Sequence, residues 1–231
     1  MIWCLLCHAS IEPAHSFSSL ISPQQRKWLC ETCQSSFKGL SEPLCRRCGR
    51  MLNELPIAYY EGEYCIDCVQ WNKKKSPLIR NCSLYKYNKF AKEVMALFKY
   101  RGDYELHKIF TDDFAQLYKV YSPENPVLVP IPLSKERMYE RGFNQAEALA
   151  SLLPAEVAYP LTRKHTEKQA KKTREERLQN HRVFELVDPE LVTNRNVILI
   201  DDLYTTGVTL HEAALCLKDV AAAIYSFTIY R

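Results

Sequence analysis

No stretch of this chain is apolar for long enough to cross a bilayer. The longest uninterrupted apolar runs, such as Val197-Ile198-Leu199-Ile200, fall far short of the roughly 20 residues a membrane helix needs. A basic n-region and a small-residue cleavage site are both missing from Met1-Ile2-Trp3-Cys4-Leu5-Leu6-Cys7, so these residues do not read as a signal peptide. The expectation is a cytoplasmic protein with no membrane insertion. Charge of one sign is also lacking: 31 Lys+Arg against 27 Asp+Glu leaves +4, too little to argue for nucleic acid by itself. There is no low-complexity tail and no repeat beyond paired cysteines. What remains is 231 residues, 47% hydrophobic and 25% charged, enough for one α/β domain and a small appendage.

The cysteines are the first positive feature. Ten in a cytoplasmic chain do not form a disulfide framework, because cytosolic thiols are kept reduced. Eight fall into four Cys-x-x-Cys pairs: Cys4/Cys7, Cys30/Cys33, Cys45/Cys48 and Cys65/Cys68. Two residues between thiolates let both sulfurs reach one ion from a tight turn, and a tetrahedral zinc site needs two such turns. Sequential pairing gives two ribbon-like Cys4 sites; interleaved pairing, first with third and second with fourth, gives a cross-braced one. The sequential arrangement is favoured, with Ile57 to Tyr64 forming a hairpin around Glu61-Gly62. A redox role would call for one isolated pair beside a βαβ unit, and the spacing is not that of a ferredoxin. His8 reads as an exposed neighbour of the first pair, Cys216 as a core residue, and Cys82 has no assigned role.

Organisation follows from composition. Residues 1–70 carry all the pairs and form a zinc-binding module. The charged stretch Trp71-Asn72-Lys73-Lys74-Lys75-Ser76-Pro77 begins a linker over 71–82, and 83–231 is a second domain. Within it, Ser83 to Tyr87 reads as a short strand. Asn88 is an N-cap for a helix with Phe90, Val94, Leu97 and Phe98 on one face, ended by Gly102. A second helix carries Leu106, Ile109, Phe110 and Leu117. Pro126 to Leu133 is a strand broken off by prolines into a shaped loop, and a helix runs from about Asn144 to Leu153. Val197 to Ile200 reads as a central parallel strand, Leu210, Ala213, Ala214 and Leu217 as one helix face, and Ile224 to Ile229 as a closing strand. Strands alternating with helices predict an α/β, doubly wound parallel sheet.

The most informative stretch is Val197 through Leu210. A buried strand ends in Asp201 and Asp202 and passes through a Thr/Gly turn into a helix N-terminus. Such a terminus offers unpaired N–H groups and partial positive charge, which suits phosphate. Gly207 permits close backbone approach, Thr205, Thr206 and Thr209 add hydroxyls, and Val208 lies between them. Asp201 and Asp202 stand where they could hold ribose hydroxyls or Mg2+. Thr209-Leu-His-Glu212 also fits a plain capping box, and paired acids end strands in receiver domains, but neither covers the whole pattern.

This stretch closely resembles the phosphoribosyl-pyrophosphate (PRPP) motif of type I phosphoribosyltransferases. Val129-Pro-Ile-Pro-Leu133, Arg137 and Arg141-Gly-Phe-Asn-Gln145 resemble the pyrophosphate loop of the ComF family of late competence proteins. Arg163, Thr166, Gln169, Arg177 and Asn180 fit that family's spacing, as does the double cysteine module. The resemblance implies that residues 205–209 hold the 5′-phosphate, Asp201 and Asp202 the ribose hydroxyls, and Arg137, Arg141 and Gly142 the pyrophosphate. It implies two structural Zn2+ and Mg2+ with PRPP. It also implies single-stranded DNA and other competence proteins, such as a DNA-uptake helicase and a DNA-processing protein, as partners at the inner face of the membrane. Family members often have His where this chain has Ser134, so that position is given no role.

Function is therefore expected to be PRPP and Mg2+ binding in natural transformation, with incoming single-stranded DNA handled in the cytoplasm. A phosphoribosyltransferase of nucleotide salvage and a non-catalytic PRPP-binding regulator are the alternatives. No acceptor-binding segment or catalytic residue is recognisable, and Cys4 belongs to its pair rather than to glutamine-dependent chemistry. Between Arg163 and Arg182 stand eight Lys/Arg against three Glu, a local excess of +5. Lys164, Lys168, Lys171, Lys172, Arg174, Arg177 and Arg182 are candidate DNA contacts, with Trp71, Tyr59 and Tyr60 as stacking partners. The same segment also suits a solvated loop over the site.

Overall fold

A computed structural model describes residues 2–11, 27–100, 103–164 and 183–231. Its centre is one five-stranded sheet, all parallel, built from β5 (Leu78–Tyr85), β6 (Val127–Pro130), β7 (Glu156–Val157), β10 (Asn196–Leu203) and β11 (Ala223–Tyr230). The spatial order is β5-β11-β10-β6-β7. The wholly apolar run Val197–Ile200 is the middle of the central strand, buried throughout, because both faces of a parallel sheet are covered.

Alternation divides the sheet's side chains between two cores. Val127, Val129, Val197 and Leu199 face a cluster with Leu210, Ala213, Ala214 and Leu217 of α7 (Val208–Leu217). Leu128, Ile198, Ile200, Phe227 and Ile229 face Val94, Met95 and Phe98 of α3 (Lys89–Tyr100), together with Phe114 of α4 (Thr111–Tyr121). Helices thus cover both faces, as the doubly wound prediction requires. Asn88 caps α3 as expected, its Oδ1 accepting from the Ala91 N–H at 2.8 Å. Leu106, Ile109 and Phe110 lie in a 3-10 helix, Tyr104–Phe110, ahead of α4, so the predicted second helix is two elements. Gly102 lies outside the described residues.

The linker reading of 71–82 is corrected. Helix α2 (Ile66–Lys73) includes Trp71, and β5 starts at Leu78, five residues before the predicted strand. The physical reason is Arg47, which is buried. It donates to the Leu78 carbonyl at 2.8 Å and the Ser76 carbonyl at 2.7 Å and contacts Asn72, stapling the lysine-rich segment to the cysteine region.

The cysteine region has two similarly built halves. In one, β1 (Ile2–Trp3) and β2 (Ser10–Ile11) flank Cys4 and Cys7, and Cys30 is N-cap of α1 (Glu31–Ser36). In the other, β3 (Tyr60–Glu61) and β4 (Tyr64–Cys65) form a hairpin shorter than the one expected over Ile57 to Tyr64, because Ile57–Tyr59 is a 3-10 helix and Glu61 belongs to the strand; Cys65 is N-cap of α2. The second half is part of the α7-side core, which includes Cys45, Cys48, Cys65 and Cys68.

Candidate functional site

The chain leaves β6 outward to β7, and leaves β10 in the opposite direction to β11, so the topological switch point lies between β6 and β10. Crevices of this kind, at the carboxyl ends of strands, are where ligands bind in open α/β sheets. Two loops meet there.

The first joins β10 to α7 through Tyr204-Thr205-Thr206-Gly207. Gly207 is the N-cap residue at φ +80°, the left-handed region. A Cβ there would come within 2.3 Å of the Tyr204 hydroxyl and 2.9 Å of His211 Cδ2. Glycine is therefore required by the wall behind the loop, a reason that the sequence does not show. No side chain caps α7, and Thr209 lies inside its first turn, so the capping-box alternative does not form. The first amides of the helix have no intrahelical acceptor and remain for a ligand. Thr205, Thr206 and Val208 are exposed and Thr209 is half-buried.

Behind this loop lies a buried set that the sequence did not announce. His211 stacks on Trp71, with centroids 4.2 Å apart and planes 10° from parallel. Its ring nitrogens are hydrogen-bonded to Ser76 Oγ at 2.6 Å and Tyr204 Oη at 2.9 Å. Burial holds its pKa down at about 3, helped by the Arg47 charge, so the ring is neutral. Arg231 donates to the carbonyls of Tyr204 at 3.0 Å and Thr205 at 2.7 Å, and Trp71 Nε1 donates to that of Thr206 at 3.0 Å. Trp71 is consequently not free to stack on bases, which corrects that assignment; Tyr59 is exposed and Tyr60 half-buried.

Asp201 and Asp202 end the strand differently. Asp202 is buried and pairs with Lys99 of α3 at 2.6 Å. Burial, then the Asp202 charge, pushes the Asp201 carboxyl up to about 7; the Asp202 N–H, donating to it at 2.9 Å, and the Lys99 and Arg141 charges oppose this. Lys99 was missed because its place in the last turn of a helix does not reveal which strand end it faces.

The second loop follows β6. Ile131 N–H continues the sheet to the Ile200 carbonyl at 3.0 Å, and Ser134 is N-cap of α5 (Lys135–Arg141), accepting from the Arg137 N–H at 3.3 Å. That gives Ser134 a structural role. Gly142, at φ +77°, closes α5 and exposes its Cα. Asn144 caps α6 (Gln145–Ala150) and donates to the Ile131 carbonyl at 3.0 Å, tying the loop's two ends together. Arg137 is exposed, and Arg141 is half-buried and donates to Gln145 Oε1 at 2.9 Å. Arg163 ends β8 (Leu161–Arg163), which pairs with β9 (Phe184–Leu186). Burial, then the charges of Arg137 and Arg141, lowers its pKa, while Asp201 raises it, so these residues share one field. Lys164 is exposed beside it. Thr166, Lys168, Gln169, Lys171, Lys172, Arg174, Arg177, Asn180 and Arg182 lie outside the described residues.

The eight paired cysteines gather sequentially into Cys4/Cys7/Cys30/Cys33 and Cys45/Cys48/Cys65/Cys68, each set with sulfurs within 4.8 Å of one another. The interleaved pairing does not occur. Cys7–Cys30 and Cys48–Cys65 sulfur separations are both 3.6 Å, close to the roughly 3.8 Å edge of a tetrahedron with Zn–S bonds of about 2.3 Å. In each set one pair lies on a tight turn and the other opens a helix. His8, at φ 58°, occupies the turn position that Gly49, at φ 69°, fills in the second set, so His8 serves the backbone. Cys82 and Cys216 stand apart: Cys82 is core, and half-buried Cys216 donates to the Phe184 carbonyl at 3.4 Å.

A parallel sheet covered by helices on both faces, with a crevice at its switch point and two Cys4 sets of zinc-ribbon type, defines a doubly wound α/β protein with a double cysteine module. The chain is 42% identical to the competence protein ComFC of Bacillus subtilis (strain 168), over 99% of this chain and 94% of that protein. It is 30% identical to the competence protein ComFC of Streptococcus pneumoniae (strain ATCC BAA-255 / R6), over 99% of each. The chain belongs to the ComFC family of competence proteins. No family model matches it. Among solved structures, a hypoxanthine phosphoribosyltransferase from Staphylococcus aureus is similar over 53% of this chain and 60% of that one, with 20% identity and a TM-score of 0.31.

Proposed function

We propose that this protein binds PRPP with Mg2+ at the β6/β10 crevice and acts in DNA uptake by handling incoming single-stranded DNA in the cytoplasm. The observation that carries the proposal is the uncapped start of α7, which follows the strand end bearing Asp201, while Arg137, Arg141 and Arg163 are near enough for their charges and that of Asp201 to act on one another. An anionic group with both phosphate and hydroxyl functions fits that polarity. The free amides and the hydroxyls of Thr205, Thr206 and Thr209 take the 5′-phosphate, and Val208 exposes its backbone between them. Asp201 accepts from ribose hydroxyls, while Asp202, already paired with Lys99, fixes the strand end. Arg137, Arg141 and Gly142 face the pyrophosphate.

Carboxylate oxygens at the strand end suit a hard cation, so Asp201 and Asp202 fit Mg2+; that ion would supply charge neutralisation to the pyrophosphate. The four sulfurs of each cysteine set suit Zn2+ as a structural ion. The chain's own residues position the anomeric carbon and stabilise a departing anion by Arg137 and Arg141, which is what phosphoribosyl transfer asks of a protein.

Support for single-stranded DNA comes from the family and from the chemistry around the crevice. Arg137, Arg141, Arg163 and Lys164 provide positive charge. Tyr139, on the same helix as Arg137 and Arg141, is 93% exposed, and Tyr100 of α3, a helix in contact with α5, is 72% exposed, so both offer bare rings to a base. Titration calorimetry with PRPP and Mg2+, followed by mass spectrometry of products with bases, nucleotides and single-stranded DNA, tests the reading. No PRPP heat in the unmodified protein overturns it.

A further inference from the structure

Three successive carbonyls of the phosphate loop are occupied from the cysteine side. Arg231 reaches those of Tyr204 and Thr205, Trp71 that of Thr206, and Arg50 Nη2 also lies 3.5 Å from the Thr205 oxygen. Each donor is tied to the second cysteine set. The Arg231 guanidinium also donates through Nε to the Cys48 carbonyl at 3.0 Å and through Nη2 to Cys48 Sγ at 3.0 Å. Trp71 belongs to α2, which opens with Cys65 and Cys68. Arg50 follows the Cys45–Cys48 turn and pairs with Asp67 at 2.9 Å. Arg231 is itself fixed by β-type bonds, its N–H to the Tyr85 carbonyl and its carbonyl from the Tyr87 N–H, both 2.9 Å.

A trans peptide points its C=O and its N–H in opposite directions. Holding the carbonyls of residues 204–206 toward the cysteine set therefore turns the N–H groups of Thr205, Thr206 and Gly207 toward the open crevice. A planar guanidinium with fixed donors holds two acceptors in register, which a lysine ammonium cannot do. The first cysteine set lies elsewhere: Leu5, Leu6, Trp28 and Leu29 pack against the α3/α4 core on the other face.

We propose that Arg231 and Trp71 are positioning residues through which the second cysteine set, and not the first, orients the phosphate loop. This rests on the PRPP reading given above. Loss of the second set's metal then loosens the loop, whereas loss of the first set's leaves it shaped.

The test uses the full chain with Arg231→Lys, Trp71→Phe and Cys7→Ser. Trp71→Phe keeps a six-membered ring for the His211 contact while removing the indole N–H together with its five-membered ring. Three quantities are measured: zinc content, PRPP–Mg2+ affinity, and hydrogen–deuterium exchange of residues 204–209 against β5 and β11. Arg231→Lys and Trp71→Phe should each keep two zinc ions, lose about tenfold in affinity, and exchange faster only in the loop. Cys7→Ser should lose one zinc and keep its affinity within about twofold. Unchanged affinity and exchange in Arg231→Lys and Trp71→Phe overturn the inference while leaving PRPP binding intact. So does affinity that falls only in step with lost zinc. If the unmodified protein binds no PRPP, the parent reading falls and loop exchange alone decides positioning.

Discussion

Trp71 and His211 lie face to face, 4.2 Å between ring centres, joining the last turns of α2 to the first turn of α7. The contact places a cysteine-bearing helix directly behind the β10–α7 loop. His211 is wholly buried and hydrogen-bonded at both nitrogens, so its neutral form belongs to the fold. Protonation would leave it with two donors and a buried charge.

His211 accordingly makes stability depend on acid. Its folded pKa, about 3, lies below its ordinary value of 6.5, so the unfolded chain binds the proton first. Its contribution is complete above pH 6.5 and is lost progressively as pH falls toward 3. His211→Ala should cost about 2–4 kcal/mol at pH 7.5, from the lost hydrogen bonds and packing. The deficit relative to the unmodified protein should shrink as the pH drops toward 5. Urea titrations at several pH values measure this, and a deficit constant with pH would mean that His211 is not held neutral.

Asp201 works with the opposite sign. Its folded pKa, about 7, lies above its ordinary 3.8, so the folded protein retains a proton that the unfolded chain gives up between those values. This carboxyl therefore costs stability progressively as pH rises from 3.8 through 7. Asp201→Asn should raise the melting temperature at pH 8 and raise it less at pH 5, while weakening PRPP–Mg2+ binding at least tenfold. Asp202→Asn is the less clean variant, because it strands Lys99 in a mostly buried site. Calorimetry in buffers of different ionisation enthalpy should also show proton release on PRPP–Mg2+ binding near pH 6.5. A melting temperature that falls in Asp201→Asn at pH 8 would contradict the assignment.

Much of this fold was legible because its signals were local. The apolar run at 197–200, the Thr/Gly turn and the sequential cysteine spacing each depend on neighbours in sequence, and each appears where expected. The contacts that build the back of the loop were not legible. Arg231 meets Cys48 across 183 positions and Trp71 meets Thr206 across 135. Neither residue has a spacing that betrays its partner. The lysine-rich segment after Trp71 looked like a linker because charge runs usually are, and only the buried Arg47, 31 residues before Leu78, explains its ordering. At Gly207 the sequence shows a turn and suits close backbone approach, but does not show that Tyr204 and His211 stand behind it.

Zinc should be present at two equivalents per chain and should leave in two steps. In the first set Cys7 is exposed and Cys30 half-buried, whereas all four sulfurs of the second belong to buried residues. A chelator with a chromogenic readout should withdraw one equivalent quickly and the other slowly. The slow step should accompany loss of near-ultraviolet tertiary signal, because the second set shares its core with α7. Elemental analysis finding no zinc would end this reading, and simultaneous release of both ions would show that burial does not separate the sites.

Single-stranded DNA should bind across the basic crevice, with affinity falling as salt rises. The expected slope is about 0.7 per phosphate neutralised on a single strand. Charge reversal at Lys168, Lys171 and Lys172 should lower both affinity and slope while PRPP binding is kept. Tyr139→Ala and Tyr100→Ala should act differently: each removes a stacking surface of about 1–3 kcal/mol without touching a phosphate, so affinity drops and the slope stays. Both tyrosines are largely exposed, and their replacement should leave the melting temperature within a degree or so. Fluorescence anisotropy with a labelled oligonucleotide at several salt concentrations separates the two effects. If the tyrosine variants bind as tightly as the unmodified protein, the crevice rim is not a stacking platform. If the lysine reversals also leave binding untouched at every salt concentration, Lys168, Lys171 and Lys172 are not the DNA contacts.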